Sequence, residues 1–413
     1  MAKRTKRYDI RATLMRIGIA RLVGASAAGL IGAWLALALA VSGVARTQDP
    51  ASALKFMPNE SLALAGRAEQ LLLAAPEDPP KEAQTLALAA LRQQSLNPKA
   101  LHVLGYYIAA KGDEKTANTY IRAAASQSRR DILAQFWMIE DSVKKGNVED
   151  ALVHYDIALR TKPNTNVKLF PILLGALDDP NIRAALSPYI RNDRSWAPAF
   201  LVHADANSSN LPALVDLVLE SGGLGDPEAA HSQNLELLQR LVNEKYFAEA
   251  RRLYSRMPGA TVAQLAQVGF APSDRNGQFG AIGWQVKSES DSGASFMVGD
   301  DKRTILSIFA NAGTTATVAT KILYVRPGSY DFAARLSKLD GGEGSTVRWQ
   351  LRCPAFPGNQ PVWSLDSANT SPGAILTVPA GCPVQFLDII ASGGSGQDGL
   401  ETTILDLFLH PRG

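Results

Sequence analysis

Hydrophobic and polar residues change rhythm near Pro258. Upstream, apolar residues recur every three or four positions. "ALHVLGYYIAAKGD" from Ala100 and "NLELLQRLVNEKYFAEARRLYSRM" from Asn234 show this period of amphipathic helices. Downstream, short runs alternate. In "TVRWQLRC", Val347, Trp349, Leu351 and Cys353 fall on one side and Arg348, Gln350 and Arg352 on the other, the pattern of a half-buried strand. "TILSIFAN", "VATKILYV", "VQFLDIIA" and "TTILDLFLHP" repeat it between clusters of Gly, Ser, Asn and Asp. About eight or nine such strands predict an antiparallel β-sandwich or jelly roll. Pro327 and Gly328 in "RPGS" suit the centre of a type II turn. The expected class is thus α + β and multidomain.

The first residues follow neither rhythm. Residues 1–21 hold Lys3, Arg4, Lys6, Arg7, Arg11, Arg16 and Arg21 against the single acid Asp9. Leu22–Ala45 then carries no charge at all. As a helix it spans roughly 36 Å, enough for a hydrocarbon core of about 30 Å. The basic flank predicts a cytoplasmic N-terminus and export of the rest of the chain. A cleaved signal peptide ending at Gly43-Val44-Ala45 is the competing reading, although its apolar core would be unusually long. The expected order is a cytoplasmic segment at 1–21, a single transmembrane anchor at 22–45, a linker at 46–54, a helical solenoid at 55–260 and a β-sandwich at 261–413.

Charge and cysteines acquire meaning from that order. The net charge of +3 comes from the N-terminal cluster, so the remaining chain is at −3 and offers no field for nucleic acid. The two cysteines, Cys353 and Cys382, both lie on expected core-facing strand positions of an exported domain. They read as one structural disulfide, with two free buried thiols as the alternative. The five histidines are scattered and none lies near a cysteine in sequence, so no metal site is expected.

Within the helical part, "KGDEKTANTYIRAA" from Lys111 and "KGNVEDALVHYDIAL" from Lys145 align at 34 residues. Gly112 matches Gly146, Ala117 matches Ala151, Ile121 matches Tyr155 and Ala124 matches Ala158. Gly105, Ala117 and Ala124 are small where two antiparallel helices must approach, and Gly112 turns the chain between them. This pattern resembles the tetratricopeptide repeat family. It departs from that family at Ile139, where a small residue is usual, and the segment around Ala83 lacks a clear first-helix signature. The resemblance implies a concave surface for a partner protein. A spacer, or a packing platform for the next domain, is the plainer role.

The succession "GWQV", "VRPGSYDFAARL", "WQLRC" and "VPAGCPVQFLDI" resembles carbohydrate-binding-module and galactose-binding jelly rolls. The chain as a whole is similar to membrane-anchored tetratricopeptide proteins with such a C-terminal domain, a group associated with bacterial exopolysaccharide production. That similarity implies an inner-membrane, periplasm-facing envelope role and a Cys353–Cys382 disulfide. It brings no catalytic residues.

Sugars stack on exposed aromatic faces beside polar groups. Trp284, Trp363 and Tyr324 are therefore the candidate sugar-contacting residues, with Trp363 placed in a polar loop and Trp284 at a strand start. Trp349 shares the Cys353 face and is expected in the core. Gly394, Gly396 and Gly399 have G-x-G-x-x-G spacing, but with strands on both sides they read as a turn rather than a dinucleotide site. Asp291, Asp300 and Asp301 match no calcium loop. No G-x-S-x-G, H-E-x-x-H or P-loop occurs. The expectation is a non-enzymatic, cofactor-free scaffold that docks an envelope protein and contacts polysaccharide in exopolysaccharide assembly or export. A purely protein-binding assembly factor for secretion or cell division, and a glycan-active enzyme, are the alternatives.

Overall fold

The computed structural model describes residues 47–367, 369–395 and 398–412. The basic segment and the anchor expected at 22–45 lie outside them. Among the described residues no helix is long and apolar enough to cross a membrane. The chain divides into two compact units, Met1–Leu169 and Phe170–Gly413. The later helices therefore group with the strands rather than continuing the helical solenoid expected over 55–260.

The described part of the first unit is helical: α1 (Pro50–Phe56), α2 (Ser61–Ala74), α3 (Lys81–Gln93), α4 (Pro98–Ala110), α5 (Glu114–Gln127), α6 (Ile132–Lys144) and α7 (Val148–Thr161). The expected linker is partly helix, because the Asp49 side chain caps α1 at Ser52 N. The pair α4–α5 and the pair α6–α7 begin and end 34 residues apart. Their punctuation recurs too. Asn97 and Asp131 cap the first helices, and Asp113 and Asn147 cap the second. Gly112 and Gly146 turn between them at φ +93° and +68°. Ala117, Ala124, Ala151 and Ala158 are all buried, and so is Tyr155. At Gly105 an added Cβ would lie 2.3 Å from Ile121 Cγ1, so the small residue permits the close approach of α4 and α5. In the next hairpin Ile139 and Tyr155 take these two places, and both are buried.

A buried charge cluster ties successive hairpins of this unit. Asp131 accepts the cap bond from Ala134 N and also meets His102 Nδ1 at 2.7 Å. His102 Nε2 faces Glu69 Oε1 at 3.5 Å, an ion-pair distance, and Lys99 bonds Glu69 from outside. Burial opposes the His102 charge, but Asp131 and Glu69 outweigh it and raise its pKa. Burial likewise pushes Glu69 up, yet His102 and Lys99 hold it at about 2. A raised histidine stabilises fully below its unfolded value near 6.5, and that contribution is lost as pH rises through the folded value. A depressed Glu69 stabilises above its unfolded value of 4.5, and that contribution is lost toward pH 2. The cluster should thus contribute most between about pH 4.5 and 6.5. The urea midpoint of the native chain should exceed that of His102→Gln most in this window, and the gap should close on the alkaline side. A gap that does not narrow at any alkaline pH at which the native chain stays folded would refute the assignment.

In the second unit, α8 (Asn166–Gly175), which begins in the first, α9 (Pro180–Arg191), α10 (Ala197–Asn207), α11 (Leu211–Ser221), α12 (Pro227–Asn243) and α13 (Phe247–Tyr254) lead to a β-sandwich. One sheet has the order β1 (Gln285–Val286), β4 (Thr315–Leu323), β10 (Gln385–Gly393), β7 (Ser345–Arg352), β8 (Pro361–Ser367). The other runs β2 (Ser292–Val298), β3 (Thr304–Ala310), β11 (Leu400–Pro411), β5 (Gly328–Leu336), β9 (Gly373–Val378), with β6 (Asp340–Gly341) also on β11. All these pairings are antiparallel and the chain crosses repeatedly between sheets, as in a jelly roll. Alternation fills the space between them. Val347, Trp349 and Leu351 of β7 meet a core shared with Phe332, Leu306, Ile308 and Ile404. "RPGS" is not a hairpin turn: it crosses from β4 in one sheet to β5 in the other, and Gly328 has φ +150° rather than the type II value. Gly394 and Gly399 join β10 to β11, strand to strand, while Gly396 lies outside the described residues.

Candidate functional site

The Cys353–Cys382 disulfide is formed. It closes the end of the paired strands β7 and β10, whose last register pair is Arg352 with Phe386. The residues beside each cysteine, Pro354, Ala355, Pro383 and Val384, form one wall of an open groove of about 860 Å³. Lys245–Phe247, further residues of α13 and Tyr324 line it as well.

The Phe247 end of α13 meets the sandwich through two contacts. The Tyr324 hydroxyl donates to the Phe247 carbonyl at 2.9 Å. The Phe247 ring meets Phe386 edge-on at 5.8 Å. Arg352 lays its guanidinium over the other part of this cluster, 5.4 Å from the Phe386 centroid, while binding Asp388. Asp388 is almost fully buried on the outer side of β10, and Thr320 and Gln350 also donate to it. Burial pushes the Tyr324 hydroxyl well above the usual phenol range, with Arg251 opposing. Arg251 lies over the Tyr324 ring at 5.7 Å and takes part in no ion pair among the described residues.

The three aromatics predicted from sequence come to different places. Trp284 is 3% exposed; its indole donates to the Val268 carbonyl and its ring contacts Phe270. Lys321, itself buried, sits over it at 5.9 Å, its pKa lowered by burial. Trp284 therefore has no face for a sugar. Trp363 is not in a loop but in β8, paired with inward Leu351, and points between the sheets. Its indole donates to Ile375 O of the other sheet and its ring meets Phe332 at 5.1 Å. It closes the open edge of the sandwich. Tyr324 alone reaches a cavity, and there one ring face already carries Arg251.

An exposed aromatic pair lies elsewhere. Phe408 and His410 stand on the outer side of β11, their rings 6.3 Å apart and 26° from parallel. Phe408 is opposite Ala333, and Ala333 is opposite Gly373, so the floor beside the ring is flat. His410 is opposite Asp331, which pairs with Arg412 at 3.4 Å. Exposed ring faces next to a carboxylate and a guanidinium are the elements from which sugar sites are assembled. Among the described residues no group of His, Cys, Asp and Glu has the arrangement of a metal site.

No family model and no curated protein matches this sequence. Solved structures similar to part of the chain include a CBM4 structure (14% identity, 33% of this chain, 84% of that one, TM-score 0.22). A bacteriophage CBA120 tailspike protein 4 domain matches at 13% identity over 31% of this chain and 19% of that one, TM-score 0.23. The CBM22-1–GH10 modules of Clostridium thermocellum xylanase 10B, complexed with xylohexaose, match at 11% identity over 32% and 27%, TM-score 0.24.

Proposed function

We propose that this protein is a non-enzymatic envelope scaffold, anchored in the inner membrane by residues 22–45, whose jelly roll contacts polysaccharide during exopolysaccharide assembly or export. The stacked pair Phe408–His410, set on a flat floor with Asp331 and Arg412 at its rim, is the observation that carries the sugar contact. The first unit is a tetratricopeptide-type array that docks an envelope protein. This part rests on the 34-residue recurrence of helices, caps and turn glycines. A disulfide in the sandwich suits the oxidising side of the membrane.

Calorimetric titration of the full chain in detergent with fragments of the producing cell's own secreted polysaccharide tests this reading. Phe408→Ala should weaken binding about tenfold, or roughly 1.4 kcal/mol. Trp284→Ala is expected to destabilise the fold instead. No heat at millimolar fragment, or binding indifferent to Phe408→Ala and His410→Ala, would reject the sugar contact. The chain would then be a purely protein-binding assembly factor.

A further inference from the structure

We infer that the groove beside the disulfide is a second binding site, independent of the polysaccharide face, for an extended acidic peptide segment with apolar side chains. The first ground is charge. Lys245, Arg251 and Arg252 line it against the single acid Glu249. Arg252 is held by Asp216 at 2.7 Å, whereas neither Lys245 nor Arg251 has a carboxylate partner among the described residues. Two cations without a carboxylate partner among the described residues, at an apolar groove, complement a carboxylate that arrives with its own apolar neighbours.

The second ground is Lys245 itself. It ends α12 at φ +66°, with Tyr246 N bonding back to Leu241 O. The same helix ending recurs after α4, α6 and α11, and there Gly112, Gly146 and Gly222 hold the left-handed position. Asp193 also holds it after α9, but Asp tolerates this region better than Lys. A long cationic side chain thus stands where the backbone favours glycine, and it lines the groove.

The chemistry of the walls selects peptide over sugar. Val262, Pro354, Pro383 and Val384 are aliphatic surfaces that suit apolar side chains. The Tyr324 hydroxyl is engaged by Phe247 and one of its ring faces by Arg251, so no free stacking platform with flanking hydroxyl readers remains there.

The test is selection of a displayed short-peptide library on the full chain, followed by affinity measurements on the selected peptides. Selected peptides should carry Asp or Glu flanked by apolar residues. Arg251→Glu should weaken them by more than about tenfold, and raised salt should weaken them further. Lys245→Gly should weaken binding about fivefold while the chain melts no lower, because glycine relaxes the backbone there. A purely structural role for Lys245 would not separate those two readouts. Phe408→Ala should leave peptide affinity unchanged, which keeps this site distinct from the polysaccharide face. Failure to select acidic peptides, or affinities indifferent to both groove variants, would overturn the inference. So would displacement of the peptides by polygalacturonate, with polygalacturonate binding lost in Arg251→Glu, which would make the groove a site for acidic glycan.

Discussion

A Cys353→Ala/Cys382→Ala chain is expected to lose about 3.5 kcal/mol of stability in its second unit. The bond joins residues 29 apart in sequence. Between them the chain runs out along β8 in one sheet and returns through β9 in the other. Without the crosslink, the unfolded chain regains the freedom of this loop of about 30 residues, and folding must then close it at the full entropic cost. Native contacts alone hold it thereafter: β8 on β7, β9 on β5, and Trp363 bridging to Ile375. For a unit of this size the melting temperature should fall by roughly 7–14 °C. Peptide affinity should fall as well, because Pro354, Ala355, Pro383 and Val384 form a wall of the groove. Scanning calorimetry of the native, reduced and double-alanine chains checks this. Equal melting in all three would mean that the strand pairing is sufficient and the bond adds nothing.

What could be read in advance was local and periodic. The alternation of Val347, Trp349 and Leu351 specified their inward faces, and all three are fully buried. The 34-residue recurrence located two helix hairpins because their capping and turn residues sit in the same sequence windows as the matched alanines. The candidate sites were harder for physical reasons. Uniform alternation along "LETTILDLFLHP" puts Phe408 on the side of Ile404, in the core. A register shift between Ile404 and Asp406 inserts one residue, sends Leu407 inward and turns Phe408 and His410 outward. No alternation rule predicts that bulge. Trp363 failed differently: its polar neighbours looked like a loop, but they are the outward positions of an edge strand. The groove had no sequence signature, since its walls come from residues near 245, 324, 354 and 383. Even so, a lysine at a helix-ending position that is glycine in three other helices of the chain is legible once those helices are aligned.

The Asp388 carboxylate is the other place where a single change should act strongly. It is 1% exposed, and its acceptor sites are occupied by Arg352, Thr320 and Gln350. Asp388→Ala would remove the buried carboxylate that Arg352 binds, and removing one member of a buried pair typically costs about 3–5 kcal/mol. The Arg352 side chain retains 21% exposure, so water can recover part of that loss and the expected figure is near the lower end, about 3 kcal/mol. The damage should reach α13 as well. Arg352 is fixed by Asp388 over Phe386, and Phe386 is the ring on which Phe247 rests. Peptide binding in the groove should therefore weaken together with stability. The pair itself is not expected to be the cheapest way to hold the fold: replacing both partners by apolar residues, Asp388→Leu with Arg352→Met, removes the desolvation of two charges and should restore most of the loss. Denaturant unfolding of the two single variants and the double variant gives the coupling directly. A single Asp388→Ala cost below about 1 kcal/mol, or a double variant worse than both singles together, would show that Asp388 does not organise this face. If the double variant regains stability but not peptide affinity, the ion pair is retained for the placement of Phe386 and α13 rather than for the stability of the sandwich.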